Sequence, residues 1–107
     1  MDCIFCKITS GEIPTTFVAD SLHAVAFRDI SPKQPVHVLV VPRVHYSDVA
    51  ELATSDPDVL ADVMQLGVRV AELLSTGSFR FQFNTGAEAG QTVFHAHGHI
   101  TSTTPRS

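Results

Sequence analysis

The sequence predicts an α+β domain in which a five-stranded antiparallel sheet packs against one long helix. Three observations carry this prediction. Apolar side chains recur at helical spacing over residues 57–75, residues 78–84 alternate between phenylalanine and polar side chains, and the valine-rich residues 36–41 lie between prolines. Hairpins between short strands favour a sheet with the helix on one face. The other face is then free for a ligand or a second subunit.

The remaining elements are short. A helical turn is expected at residues 3–8, and strands at 15–20 and 23–29 form a hairpin. After the glycine-bearing segment TGAEAGQ, the segment TVFHAHGHIT at 92–101 is expected to be the last strand and to pair with 78–84.

The helix at 57–75 has a clear start, because Asp56 or Ser55 can cap it and Pro57 suits its first position. The stripe expected to face the sheet comprises Leu60, Val63, Met64, Gly67, Val70, Ala71 and Leu74. In the strand at 78–84 the expected buried side chains are Phe79, Phe81 and Phe83, opposite Arg80, Gln82 and Asn84.

Length and composition limit the possible functions. The 107 residues contain no repeat or linker, so residues 1–107 are expected to form one domain. A net charge of −4 with seven scattered basic residues argues against binding long nucleic acids. No apolar run would span a membrane, and no secretion signal is evident, so a cytoplasmic protein is expected.

Three histidines, His95, His97 and His99, occupy alternate positions near the end of the chain. In a strand their side chains share one face. The face toward the helix would then carry Phe94, Ala96, Gly98 and Ile100. The trio could bind a metal, or one histidine could act as a nucleophile or acid–base group oriented by the others. The polar, glycine-containing segment NTGAEAGQT before it suits phosphate oxygens better than a metal.

Other histidines and cysteines extend these alternatives. His37, on a valine-rich strand, is either a hydrogen-bonded core residue or part of a relay beside the trio. Cys3 and Cys6 form a C-x2-C pair that could be half of a zinc site, completed by His45 and one histidine of the trio. His23, beside the first hairpin turn, is expected to be solvated.

The segment HAHGHI resembles the signature of the histidine triad (HIT) superfamily. The segments CIFCKITSGEIP, FRDISPKQPVHVLVVPRVH and FNTGAEAGQTVFHAHGH are similar, in this order, to segments of its Hint branch and bacterial relatives. The resemblance implies an α+β fold, a homodimer whose two sheets join, and a hydrolase or transferase acting at the α-phosphate of a nucleotide. Purine nucleotides such as AMP or its conjugates are the implied ligands.

The resemblance also implies roles for individual residues. His97 matches the nucleophile that forms a nucleotidyl-histidine intermediate, His99 a contact to phosphate oxygens, and His37 a support for the nucleophile. Asp29 matches the residue that binds the ribose hydroxyls. The phosphate cradle is implied at Asn84, Gly90, Gln91 and Thr92, and the base pocket at Ile4, Phe5, Ile8, Phe27, Ile30 and Leu39.

Bacterial members with the same C-x2-C pair often bind structural zinc, and the matching ligands here are Cys3, Cys6, His45 and His95. In the alternative, His95 only forms a local hydrogen bond and the cysteines are free thiols. Catalysis itself needs no metal.

The sequence departs from the family at Gly98, where an apolar residue is usual, and it lacks the tryptophan-containing C-terminal tail of animal Hint proteins. We expect Gly98 to loosen the core by about 1 kcal/mol without affecting catalysis. The function expected is that of a nucleoside phosphoramidase. The alternatives are a dinucleoside polyphosphate hydrolase using the same residues, or a nucleotide- or protein-binding module with little turnover.

Overall fold

The predicted fold class is confirmed by a computed structural model that describes residues 3–106. A five-stranded antiparallel sheet has the order β1-β2-β3-β5-β4. The strands are β1 (Ala19–Asp20), β2 (Ala24–Arg28), β3 (Val36–Pro42), β4 (Arg80–Phe83) and β5 (Gly98–Ser102). The helices are α1 (Ile4–Thr9), α2 (Val49–Ser55) and α3 (Pro57–Leu74), with a 3-10 turn at Ala87–Ala89. None of the helices in residues 3–106 is long and apolar enough to cross a membrane.

The central strand β3 divides the core into two layers. Val36, Val38 and Val40 face α3, while Leu39 and Val41 face the opposite side, where α1 packs. His37 shares the face of Leu39 because alternate residues of a strand point the same way. The face opposite α3 is therefore covered in part by α1, and it carries the histidines.

Helix α3 begins as expected, with the Asp56 carboxylate accepting a hydrogen bond from the backbone N–H of Val59 at 3.4 Å. The predicted stripe is partly wrong: Met64 is 38% exposed. The buried side of α3 consists of Val59, Val63, Leu66, Gly67, Val70 and Ala71. It is rotated away from Met64 because the sheet contacts Val59 and Leu66, which the pattern had not singled out.

Strand β5 is shorter than predicted and begins at Gly98, after His95 and His97. Continuing the register would place Ala96 opposite Pro42, which has no N–H to donate. The N–H of Ala96 instead donates to the carbonyl of Tyr46 at 2.7 Å. Phe94 precedes β5 and is 51% exposed, so its predicted burial is wrong.

Three other elements differ from the prediction. Only Ala19–Asp20 of the expected strand at 15–20 pairs with β2. Phe79 precedes β4 and is 37% exposed rather than buried. Helix α2 was not predicted from the sequence, because Leu52 is its only buried residue and a seven-residue helix shows little apolar periodicity.

Gly98 does not loosen the core, and that expectation is wrong. A Cβ atom built at Gly98 would lie 2.3 Å from the Phe81 ring and 2.7 Å from the Phe83 ring. On α3, a Cβ at Gly67 would lie 2.2 Å from the same Phe81 ring. The absence of side chains at Gly67 and Gly98 leaves space that the Phe81 ring fills. The Phe81 side chain of β4 therefore replaces the apolar side chain expected at position 98.

Candidate active site and metal centre

The four predicted metal ligands converge between α1, the loop after β3 and the segment before β5. The ligand atoms of Cys3, Cys6, His45 and His95 all lie within 4.8 Å of one another. Nδ1 of His95 is 3.3 Å from Sγ of Cys3, 3.5 Å from Sγ of Cys6 and 3.2 Å from Nδ1 of His45. Nδ1 of His45 is 3.4 Å from Sγ of Cys6.

These separations fit a tetrahedral metal site. Zn–N and Zn–S bonds of normal length at tetrahedral angles place nitrogen about 3.6 Å from sulfur and about 3.3 Å from a second nitrogen. Nε2 of the buried His95 lies 2.9 Å from the Pro42 carbonyl, to which it can only donate. Nδ1 of His95 therefore keeps its lone pair for a metal, in the arrangement typical of ligating histidines. Cys3, Cys6, His45 and His95 are thus positioned to bind a metal ion, and their donor atoms are compatible with zinc.

The sulfur atoms of this centre are held close together. The backbone N–H of Cys6 donates to Sγ of Cys3 at 3.3 Å, and neither cysteine forms a disulfide. Burial, together with the hydrogen bond and charge of Cys3, raises the pKa of the Cys6 thiol to about 11. A metal cation bound to both sulfur atoms would hold Cys3 and Cys6 as thiolates near neutral pH.

His97 is oriented by the backbone of a metal-site residue. Its Nδ1–H donates to the His95 carbonyl at 2.7 Å, which leaves Nε2 without a proton in the neutral ring. Burial lowers the pKa of His97, although the hydrogen bond to the His95 carbonyl and the charge of Asp29 oppose this effect. The imidazole is therefore neutral near pH 7 and presents a lone pair on Nε2. The Phe5 ring packs against it edge-on at 5.0 Å between centroids.

His37 and His99 form a hydrogen-bonded chain beside His97. The backbone N–H of Lys33 donates to Nδ1 of His37 at 3.1 Å, so Nε2 of His37 carries the hydrogen. That nitrogen lies 3.1 Å from Nδ1 of His99 and 3.4 Å from Oδ2 of Asp29. Because Nδ1 of His99 accepts this hydrogen bond, its own hydrogen is on Nε2.

Asp29, His37 and His99 also place three ligand atoms within 4.8 Å of one another. The hydrogen on Nε2 of His37 nevertheless occupies the lone pair that a metal would need. This group is therefore better described as a proton-carrying hydrogen-bond chain than as a second metal site.

An apolar cavity of about 380 Å³ opens next to Phe5. It contains all the residues expected to line a base pocket, with Ile30 at the exposed rim, and Asp29 lies at its edge. Residues that the sequence had not indicated complete it: Ile13, Pro14, Thr15 and Arg28. Their signal is weak because they belong to loops and a strand end that only the tertiary fold brings together.

The loop expected to cradle phosphate contains one buried residue, Gln91, whose side chain holds the loop, and other residues that are open to a ligand. Gln91 is buried and its amide is fully engaged: Oε1 accepts from the N–H of Gly86 at 2.9 Å, and Nε2 donates to the carbonyls of Ser47 and Val93. Gln91 therefore holds the loop in place. Gly90 has a positive φ of 96° and packs near the Asn84 amide, and Thr92 is exposed.

A polar groove on the other side of His99 was not predicted. Its first part, about 240 Å³, is lined by Lys33, Gln34, His37, Arg80, Gln82, Asn84, His99 and Thr101. A further 320 Å³ continues past Gln34, Arg80 and Thr101. Arg80 shares the polar face of β4 with Gln82, and Asn84 follows directly after the strand; the alternation of residues 78–84 already contained this signal.

Comparisons with known proteins place this geometry in a family. A family model described as "Scavenger mRNA decapping enzyme C-term binding" matches residues 2–107. Protein HitA of Neisseria gonorrhoeae is 39% identical over 103 residues, which are 95% of this chain and 96% of HitA. The adenosine 5′-monophosphoramidase hnt1 of Schizosaccharomyces pombe is 36% identical over 100 residues, 94% of this chain and 73% of that protein.

Solved structures agree with the sequence matches. A HIT family hydrolase from Clostridium thermocellum superposes with a TM-score of 0.86 at 38% identity, covering 94% of this chain and 89% of that one. A histidine triad protein from Clostridium difficile has a TM-score of 0.87 at 36% identity, covering 100% and 92%. The chain belongs to the histidine triad family, as its sequence motifs indicated.

Proposed function

We propose that this protein is a nucleotide hydrolase that cleaves AMP conjugates at the α-phosphate, with His97 as the nucleophile. One observation carries the proposal: the hydrogen bond from Nδ1 of His97 to the His95 carbonyl leaves Nε2 unprotonated, on a ring that contacts both Phe5 of the apolar cavity and His99. The phosphoramidase named among the relatives, hnt1, supports this class of substrate.

The chemistry would proceed in two displacements. Nε2 of His97 attacks the α-phosphorus, the bond from phosphorus to the leaving group breaks, and the leaving nitrogen of a phosphoramidate takes up a proton. A water oxygen then attacks phosphorus, the N–P bond breaks, and the water's second proton is released as AMP departs. In sum, one water converts the conjugate into AMP and an amine.

The neighbouring groups have complementary roles in this proposal. His99, with its hydrogen on Nε2, would donate to a phosphoryl oxygen as negative charge develops there. Asp29 at the edge of the cavity would accept from the ribose hydroxyls, and the apolar cavity would enclose the purine. Asn84 and Gly90, which are neighbours in the fold, would contact the same phosphate.

Zinc is the metal we propose for the Cys2His2 centre. All four ligands come from the protein, so the centre is closed and structural. When bound, it would tie α1 to His95, the residue whose carbonyl orients His97. No step of the reaction uses it.

The His97→Ala variant tests the proposed function. We expect AMP release from an adenosine phosphoramidate to fall by at least about a thousandfold in kcat, because no other group replaces the nucleophile. His23→Ala is the matched control, since His23 is exposed and belongs to the turn before β2. Turnover that is equally slow in wild type and His97→Ala, with AMP affinity retained, would instead indicate a nucleotide-binding module.

A further inference from the structure

The groove beside His99 contains two cations without partners. Among residues 3–106, the Lys33 ammonium and the Arg80 guanidinium form no hydrogen bond or ion pair. None of the described residues lining either part of the groove is Asp or Glu. In a chain with a net charge of −4, two of the seven basic residues therefore meet in one uncompensated positive groove.

Sheet register fixes where these cations lie relative to the reacting groups. Thr101 on β5 pairs with His37 on β3 and with Arg80 on β4, so the three residues form one row across the sheet. Adjacent strands are about 4.8 Å apart, which places the Cα of Arg80 about 10 Å from that of His37. Lys33 is anchored to the same region, because its backbone N–H donates to His37.

The groove and the apolar cavity lie on opposite sides of the histidines. The cavity ends at Asp29 and Leu39, and the groove begins at His37 and His99. A substrate whose nucleoside fills the cavity and whose α-phosphate lies beside His97 and His99 would have the groove within reach of its leaving group, because His99 lines the groove. The groove is thus the place where leaving groups can be distinguished.

We infer that Lys33 and Arg80 form a leaving-group subsite that selects substrates whose leaving group is anionic, either a phosphate or a carboxylate. This inference rests on the proposed function and specifies its substrate class. For a phosphoanhydride, the bond from the α-phosphorus to the bridging oxygen breaks and the electron pair leaves with the departing phosphate. That anion needs no proton, and its charge would lie beside the two cations of Lys33 and Arg80.

Binding of AMP and ADP to the His97→Ala variant tests the subsite without turnover. The β-phosphate of ADP occupies the position of a leaving group, so we expect ADP to bind about tenfold more tightly than AMP by calorimetry. Adding Arg80→Gln should reduce this preference to about twofold, and 0.5 M salt should weaken it because the groove is open to solvent. Equal affinities for AMP and ADP would overturn this inference alone, whereas failure to bind either nucleotide would overturn the proposed function as well.

Kinetics on matched substrates separate the two kinds of anion. Propylamine and β-alanine phosphoramidates of AMP differ by a methyl group in place of a carboxylate, and diadenosine tetraphosphate supplies a phosphate leaving group. We expect wild type to prefer either anionic leaving group over propylamine by five- to tenfold in kcat/KM.

Lys33→Gln and Arg80→Gln should each reduce that preference, measured as the ratio of kcat/KM for each anionic substrate to kcat/KM for the propylamine substrate. Arg69→Gln is the control, because it removes the same charge from α3 on the other side of the sheet. A wild-type enzyme without the preference, or variants that lose all three activities equally, would contradict the subsite.

Discussion

At the residue scale, His95 connects the metal-ligand cluster with the proposed nucleophile His97 through different atoms. Its Nδ1 faces the cysteines, its Nε2 contacts Pro42, and its carbonyl accepts from His97. The sequence motif indicated which histidines matter. It could not indicate the tautomer of each ring, because tautomers depend on backbone carbonyls and amides that only the fold supplies.

The close packing of Phe81 makes Gly98→Ala a test of the core. We expect this substitution to lower the free energy of unfolding by about 1–3 kcal/mol, because the new methyl group would overlap the Phe81 and Phe83 rings. Chemical denaturation measures the change. The double variant Gly98→Ala, Phe81→Leu should recover part of the loss. A stabilised Gly98→Ala protein would instead mean that position 98 has free space.

The environment of His99 predicts how stability depends on pH. Burial lowers the pKa of His99, the charges of His97 and His37 lower it further, and Asp29 opposes them. Below about pH 6.5 the unfolded chain binds a proton at this residue while the folded protein remains neutral. The free energy of unfolding should therefore fall as the pH drops below 6.5.

The contribution of His99 can be isolated by chemical denaturation of wild type and His99→Gln at pH 7.5 and at pH 5.5. The variant lacks the titrating group, so its stability should change less between the two pH values. An identical change in both proteins would contradict the assignment. His23→Gln, at an exposed position, is the control.

At the scale of elements, α1 contributes both to the metal-ligand cluster and to the apolar cavity. It carries Cys6 and is capped by Cys3, and its Phe5 and Ile8 line the cavity. A six-residue helix has little stability of its own. Besides apolar packing, its contacts to the rest of the protein include the hydrogen bond from Thr9 to the Arg43 carbonyl at 3.4 Å and the metal-ligand cluster.

Removing the metal should therefore weaken nucleotide binding more than it slows the chemical step. We expect a chelator to lower the melting temperature by several degrees and to weaken AMP binding by about tenfold, because α1 loses its attachment. Cys6→Ser should have the same effects and should make the protein insensitive to the chelator. A zinc content near zero in protein purified without added metal, or unchanged AMP affinity after chelation, would contradict this role.

The elements also show where sequence information ends. The strand β3 and the N-cap of α3 at Asp56 could be predicted from the sequence because their signals are local. The start of β5 at Gly98 could not be predicted in this way, since it depends on Pro42 lying opposite Ala96. The groove shared by Lys33 and Arg80 could not be predicted either, because it depends on the strand register of Arg80 and on the hydrogen bond from the Lys33 backbone to His37.

At the scale of the whole molecule, the free edge of β4 favours the homodimer expected from the family resemblance. β4 is an outer strand of the sheet, and the nearby α3 residues Met64 and Val68 are 38% and 40% exposed. These two residues flank Gly67, which packs against Phe81 of β4. An unpaired edge beside exposed apolar side chains is a surface suited to a second copy of the chain.

We expect a mass near twice 11.6 kDa by light scattering. Val68→Glu should shift the protein toward monomer, because it introduces a charge into the proposed interface. Leu73→Glu is the control, on another side of α3 where the side chain is 55% exposed. A monomeric wild type, or equal effects of both substitutions, would contradict the proposed interface.

The contact of Phe81 with Gly67 and Gly98 also restricts how this protein can evolve. An apolar side chain at position 98, as usual in the family, would fit only after Phe81 had become smaller. Shrinking Phe81 first would leave a cavity between α3 and β5. Either order of single changes passes through a less stable protein, so positions 67, 81 and 98 should covary among relatives, even though none of the three contributes to the proposed chemistry.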